Sequence, residues 1–169
     1  MRAGGVSSFK TYFAYDHLRL DDAETLEVLE ALKPFGGTLC VHCENGTLVN
    51  ELQRRVYDEG IHGPEGHPLT RPAECEAEAI SRLLYLAHLA GDARVNVVHL
   101  STKMGLDAIR AAKARGQRNI FVETCPQYLL LDDTCFLEQG EDGLAGLAYV
   151  MSPPPRKPAD RAALREALL

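Results

Sequence analysis

Short apolar runs alternate along the chain with longer amphipathic segments, and this pattern predicts strands and helices in series. Strands are predicted over residues 7–13, 38–42, 94–100 and 119–124. Helices are predicted over about 21–33, 47–59, 73–90 and 101–115, with a last helix starting near residue 159 and Ser101 capping the helix before it. Strand–helix units in series are typical of a parallel sheet covered by helices.

Three segments between these elements are predicted without regular helix. GIHGPEGHPLTRP reads as a long polar loop, because it is rich in Gly and Pro, and PQYLLLDD reads as irregular or weakly extended. YVMS is a possible fifth strand that ends in a proline-rich turn. A closed (β/α)₈ barrel typically needs about 250 residues. From the length of 169 residues, we therefore expect either a small open α/β sheet or part of a barrel.

Composition and charge exclude several classes of protein. The chain is 46% hydrophobic and 25% charged, which is ordinary for one globular domain. It has no run of about 18 apolar residues and no apolar signal segment at MRAGGVSS, so we expect a cytoplasmic protein. The net charge of −6 argues against nucleic acid or an anionic membrane as a partner.

The five cysteines are expected to be reduced thiols. Cys40 and Cys43 form a C-x-x-C within an apolar strand, whereas a redox pair lies at a helix N-terminus. A structural zinc site needs a second such pair, which Cys75, Cys125 and Cys135 do not supply. Both cysteines of the pair are therefore interpreted as packing residues.

Candidate chemistry lies on three successive predicted strands, which carry Lys10, His42 and His99. Sites in parallel α/β folds form at the C-terminal ends of the strands, so the two histidines can converge on one zinc-like metal. Lys10 lies in what reads as a buried strand, between Phe9 and Phe13. Either it reaches solvent, or burial lowers its pKa and the neutral amine forms a carbamate, which can bridge two cations about 3.5–4 Å apart.

Six sequence motifs, which occur in a fixed order along the chain, are more specific than the positions of Lys10, His42 and His99 alone. They are GVSSFKTYFAY, VHCENG, GPEGHPLTRPAECEAEA, VHLST, ETCPQYLLLDD and MSPPPR. Together they closely resemble the dihydropyrimidinase and D-hydantoinase family of cyclic amidohydrolases. The resemblance runs from about Gly4 to Arg156. It implies parallel (β/α) units from a TIM-barrel amidohydrolase, with two divalent metals, usually zinc. The implied reaction opens a small cyclic amide or imide to an N-carbamoyl amino acid.

The resemblance also assigns roles to individual residues. Lys10 matches the carboxylated lysine that bridges the two metals, and His42 and His99 match the histidines that bind one of them. Tyr15 matches the tyrosine that polarises the scissile carbonyl, and Ser152 matches a serine that contacts the ring amide. Because Tyr15 lies five residues after Lys10, an extended strand puts them on opposite faces. We therefore expect the strand to end near residue 14 and Tyr15 to lie on a mobile loop.

Two departures from the family pattern bear on activity. The chain has no His-x-His pair, which the family carries on the first barrel strand. The family's metal-binding aspartate follows the SPPPR region, and Asp160 lies too close to that region to match it. We therefore interpret residues 1–169 as a partial (β/α)₈ metal-dependent hydrolase domain, about strands 4–7, without the N-terminal and C-terminal parts. The isolated chain is expected to be inactive, with Lys10 an unmodified amine.

Other functions remain open at this stage. Allantoinases and dihydroorotases share the barrel and the metal ligands, although Tyr15 and GPEGHPLTRP favour the hydantoinase side. Non-catalytic assembly proteins related to dihydropyrimidinase have lost metal ligands, which Lys10, His42 and His99 argue against. An unrelated open-sheet protein is the third alternative. The family forms tetramers, so we expect a homo-oligomer or association through exposed strand edges.

Overall fold

The computed structural model describes residues 4–141 and 145–169, in which four parallel strands form one open sheet. The strands lie in the order β1-β2-β3-β4, and every neighbouring pair is parallel. Their bounds are β1 Ser8–Tyr12, β2 Thr38–His42, β3 Val95–Val97 and β4 Ile120–Val122. The predicted α/β class with serial parallel units is therefore confirmed.

Helices connect the strands and cover one face of the sheet. They are α1 Asp22–Leu32, α2 Gly46–Asp58, α3 Gly66–Thr70, α4 Ala73–Leu89, α5 Lys103–Ala114, α6 Pro126–Leu130 and α7 Pro158–Ala167. Short 3₁₀ turns occupy Lys33–Phe35, Asp133–Leu137 and Ala145–Tyr149. Among the residues that the structure describes, no helix is long and apolar enough to cross a membrane.

One face of the sheet forms the hydrophobic core with these helices. Alternate strand residues project to the same face, so Leu39, Val41, Val95 and Val97 all lie on it, at most 1% exposed. They share a single apolar cluster with residues of α1, α4 and α5. Such a two-layer arrangement leaves the opposite face of the sheet free for polar side chains.

The opposite face carries the candidate chemistry. Lys10 pairs with Cys40 and Tyr12 pairs with His42 across β1 and β2, so these four residues share one face. The expectation that Lys10 lies in a buried strand is wrong, because β1 is an edge strand and Lys10 is exposed on it. The two unpaired edges of the described sheet are β1 and β4.

Several local predictions were wrong. PQYLLLDD begins as helix α6, because Pro126 at its first position supplies a backbone angle suited to a helix start. The polar loop contains the short helix α3, and the residues described between 145 and 157 contain no fifth strand. Thr102, not Ser101, caps α5 by accepting a hydrogen bond from the Gly105 amide at 3.0 Å.

Two leucines of α4 are expected to differ strongly in their contribution to the free energy of unfolding. Leu83 is fully buried, whereas Leu89 is 69% exposed. Leu83→Ala is expected to lower the free energy of unfolding by about 2–5 kcal/mol, because it leaves a cavity. Leu89→Ala is the matched control and is expected to change it by less than about 0.5 kcal/mol. Urea unfolding followed by circular dichroism measures both, and equal losses would contradict the packing described.

Candidate functional site

Two imidazoles meet at the C-terminal ends of neighbouring strands. His42 is the last residue of β2, and His99 follows β3 by two residues. His42 Nδ1 lies 3.1 Å from His99 Nε2. A metal bonded to both nitrogens at its usual distance and tetrahedral angle separates them by about 3.3 Å. The separation of the two nitrogens is therefore compatible with one tetrahedral metal such as zinc.

The backbone of His99 turns its ring toward His42. His99 has a left-handed φ of 45°, which is uncommon outside glycine and occurs where the surroundings impose it. The Leu100 amide donates to the Glu123 carbonyl at 2.7 Å, which fixes the chain just after the turn. Burial, aided by the nearby groups of His42 and Lys10, lowers the pKa of His99 to about 4. The ring is therefore neutral at pH 7, the form that binds metals.

A buried carboxylate holds the other nitrogen of His42. Glu44 is fully buried, and its Oε2 lies 2.8 Å from His42 Nε2 and 2.5 Å from Arg71 Nη1. Burial by itself raises the pKa of Glu44, but the hydrogen bond from His42 and the charge of Arg71 outweigh it, so the net pKa is lowered. An ionised carboxylate only accepts hydrogen bonds, so Nε2 of His42 carries the proton.

Tyr15 lies close to this pair. Its ring centroid is 5.1 Å from that of His42, and its φ of 66° starts a turn in which its carbonyl accepts from the Leu18 and Arg19 amides. The strand ends at Tyr12, slightly before its predicted end near residue 14. The turn brings Tyr15 to the same side as His42, which a continued strand does not allow.

Lys10 joins the cluster through Tyr12, whose ring centroid lies 4.8 Å from the Lys10 Nζ. Although Lys10 is exposed overall, partial burial of its amine lowers its pKa, while Cys43, Cys40 and Glu123 oppose that shift. Within residues 4–141 and 145–169, no group of three or more His, Cys, Asp or Glu side chains is arranged to hold a metal. The described donors are therefore the two imidazoles, which Lys10 can supplement only in its carbamate form.

A second buried carboxylate fixes the segment after His99. Glu76 of α4 accepts from the amide and hydroxyl of Ser101 at 3.0 and 2.8 Å, and from the amide of Thr102 at 2.8 Å. Its carboxyl also accepts from the Thr102 hydroxyl. Burial raises the pKa of Glu76, and Arg156 opposes the shift. This contact holds the beginning of α5 and therefore the turn that contains His99.

Ser152 lies in a segment that is anchored at several points beside the site. The His67 ring donates from Nε2 to the Met151 carbonyl at 2.7 Å, and the Tyr128 hydroxyl donates to the Pro153 carbonyl at 2.7 Å. Arg156 donates from Nε to the Ser101 hydroxyl at 2.9 Å. Ser152 is thus connected to the imidazole pair indirectly, whereas Lys10, Tyr15 and the two histidines lie close together.

Sequence reasoning gave no role to the buried charges around the site: Glu44, Arg71, Glu76 and Arg156. All four lie inside the quoted motifs, and Glu44 comes only two residues after His42. A charged residue directly after an apolar strand is the signal that could have found Glu44, because buried charges are retained only where they are paired.

Comparison with known proteins identifies the family. No family model matches the chain. A curated D-phenylhydantoinase of Escherichia coli O9:H4 (strain HS) is 43% identical over 156 residues, which are 92% of this chain and 32% of that protein. The chain belongs to the dihydropyrimidinase and D-hydantoinase family of cyclic amidohydrolases. It spans about a third of the length of the curated relatives it matches.

Solved structures of the family superpose closely. The dihydropyrimidinase of Brevibacillus agri NCHU1002 is 38% identical with a TM-score of 0.91, over 98% of this chain and 35% of that one. The D-hydantoinase (dihydropyrimidinase) of a Thermus species is 40% identical with a TM-score of 0.89, over 98% of this chain and 35% of that one. The four parallel strands with their helices are therefore part of a TIM-barrel amidohydrolase fold.

The environment of His67 predicts a pH dependence of stability. Burial lowers the pKa of His67 below its ordinary value of about 6.5, Arg71 and Arg156 act in the same direction, and the Met151 carbonyl and Glu44 oppose them. The unfolded chain then binds more protons, so the free energy of unfolding falls as pH decreases below about 6.5. His67→Gln keeps an N–H donor for Met151 but cannot titrate.

Urea unfolding between pH 7.5 and pH 5 tests this expectation. The unfolding free energy of the wild type should fall more steeply than that of His67→Gln as pH decreases through about 6.5. His62→Gln is the control, because His62 is exposed and should leave the slope unchanged. Parallel curves for the wild type and His67→Gln would contradict the expectation.

Proposed function

We propose that this chain forms part of the active site of a metal-dependent cyclic amidohydrolase that opens dihydropyrimidine or hydantoin rings to N-carbamoyl amino acids. The observation that carries the proposal is the convergence of His42 Nδ1 and His99 Nε2, 3.1 Å apart, beside Tyr15 and Lys10. The names of the relatives, D-phenylhydantoinase and dihydropyrimidinase, support this class of substrate.

The described donors support one divalent metal at the imidazole pair, and family membership supports a second; zinc is our proposal for both. Two imidazoles are typical ligands of one such ion, and Lys10 as a carbamate is suited to bridge it to a second. When bound, the metals activate water for attack at neutral pH and polarise the ring carbonyl. Because a second ion needs donors in addition to those described, we propose that the isolated chain leaves Lys10 as a free amine and has no hydrolytic activity.

Two further residues act on the substrate in this proposal. The hydroxyl of Tyr15 donates to the oxygen of the scissile carbonyl, where negative charge develops as the ring opens. Tyr15 is 39% exposed, so its hydroxyl is free to reach a ligand. Ser152 hydrogen-bonds the ring amide, and the anchors on Met151 and Pro153 keep its backbone in place.

We also propose the cellular compartment and the oligomeric state of the protein. The five free cysteines support a reducing compartment, which the cytoplasm provides. The edge strands β1 and β4 present unpaired backbone groups in the described sheet, and these support association with further strands or with other copies. We propose a cytoplasmic homo-oligomer that acts on a small cyclic amide.

A chimaera tests the proposed activity. This chain replaces the matching 156 residues of the E. coli D-phenylhydantoinase. The chimaera is expected to hydrolyse a hydantoin or dihydrouracil, and Tyr15→Phe is expected to lower kcat by about 10²–10³-fold, because it removes one donor to the oxyanion. Tyr85→Phe is the matched control, since Tyr85 is 60% exposed on α4 and should keep full activity.

The same assay compares alternative ring substrates for the chimaera, and it also measures the activity of the isolated chain. Preferential turnover of allantoin or dihydroorotate by a folded chimaera would overturn the assigned substrate class, and no turnover of any of these rings would overturn the proposed activity. The 169-residue chain alone, supplied with zinc or manganese, is expected to turn over none of them. Turnover that survives repurification of that chain would contradict its proposed inactivity.

A further inference from the structure

We infer that Glu44 is a positioning residue, which keeps the proton of His42 on Nε2 and leaves Nδ1 as the metal-binding atom. In its metal part this inference rests on the proposed function, whereas its proton part stands on the described geometry alone. The distinction matters because a neutral imidazole binds a metal only through the nitrogen that carries no proton.

The contacts of Glu44 determine which ring nitrogen is protonated. His42 Nε2 lies 2.8 Å from Glu44 Oε2, and the carboxylate has no proton to donate, so the ring must supply it. The other ring nitrogen, Nδ1, is then an acceptor and faces His99 Nε2 at 3.1 Å. Carboxylates that accept a hydrogen bond from a metal-binding histidine commonly set its tautomer and ring orientation.

Arg71 keeps this carboxylate in place and charged. Its Nη1 lies 2.5 Å from the same oxygen that His42 contacts, and both Glu44 and Arg71 are buried. Arg156 adds a second positive group, with Nη2 3.9 Å from Glu44 Oε1. Two arginines against one carboxylate also explain why the charge is stable in the interior, because the positive groups favour its ionised form.

The arrangement differs from an ordinary buried ion pair. Glu76, the other carboxylate close to the site, directs its hydrogen bonds to Ser101 and Thr102 and acts on the backbone. Glu44 instead directs one oxygen to a ring nitrogen of a candidate ligand. Its carboxylate thus links the imidazole to Arg71, whose guanidinium carbon lies 5.9 Å from the centroid of the Tyr15 ring.

Nuclear magnetic resonance of the metal-free chain tests the proton part. Long-range ¹H–¹⁵N spectra of the 169-residue chain at pH 7.5 are expected to show His42 protonated at Nε2. In Glu44→Gln the population protonated at Nδ1 is expected to rise about tenfold, because a neutral amide oxygen accepts a weaker hydrogen bond than a carboxylate. Glu44→Asp keeps the charge and should restore most of the Nε2 form.

Zinc binding tests the metal part without any assay of activity. Competition with a chromophoric chelator is expected to show about 10–100-fold weaker zinc binding by Glu44→Gln than by the wild type. Glu78→Gln is the matched control, because this carboxylate of α4 is exposed and contacts Asn45 and Arg82 rather than the imidazoles. Its zinc affinity and its His42 tautomer are expected to be unchanged.

The outcomes separate this inference from the proposed function. Protonation of His42 at Nδ1 in the wild type overturns the role of Glu44, as does an unchanged tautomer and zinc affinity in Glu44→Gln. Zinc that leaves the His42 and His99 signals of the wild type unperturbed overturns the proposed metal site, while the tautomer still decides the role of Glu44. If Glu44→Gln does not fold, as circular dichroism would show, the wild-type tautomer and Glu44→Asp decide.

Discussion

The parallel register of β1 and β2 is the constraint on which the site depends. It pairs Lys10 with Cys40 and Tyr12 with His42, so these side chains share one face of the sheet. A shift of one residue would move His42 to the helix-covered face, where Leu39 and Val41 now form the core. The same pairing that buries the apolar residues therefore aligns the chemical ones, and fold stability and site geometry cannot be separated at this edge.

The site buries two carboxylates, and contacts close to each carboxylate compensate the free-energy cost of burying it. Glu44 is compensated by His42 and Arg71, and Glu76 by the amides and hydroxyls at the start of α5. Burying an ion without a partner costs several kcal/mol, and removing one partner of a buried pair is strongly destabilising. The two carboxylates thus connect four segments of chain around the histidines. The site is consequently held by polar contacts around the C-terminal ends of the strands and by apolar packing on the helix-covered face.

The sequence was sufficient for the four strands and the five longer helices, though not for their exact bounds or the short helices α3 and α6, because the longer elements depend on local patterns. Apolar periodicity predicted the strands that carry Lys10, His42 and His99, and parallel topology predicted that the histidines converge. It did not predict the role of Glu44, whose Arg71 partner lies 27 residues away, or the anchoring of Arg156 on Ser101 across 55 residues. Partners that are distant in sequence become visible only when the helices have packed.

The proposed role of Lys10 as a metal-bridging carbamate depends on whether metal occupies the site beside His42 and His99. The lysine is exposed on an edge strand, yet partial burial lowers its pKa, which makes the neutral amine more accessible than for a fully solvated lysine. A carbamate would place an anion beside this sheet face, where nearby cations would favour it. In the proposed function, the two imidazoles 3.1 Å apart bind one such cation, so modification of Lys10 and metal binding at the histidines would favour each other by linkage. Under that proposal, the state of Lys10 and the occupancy of the histidine pair form one coupled equilibrium, in which each binding step strengthens the other.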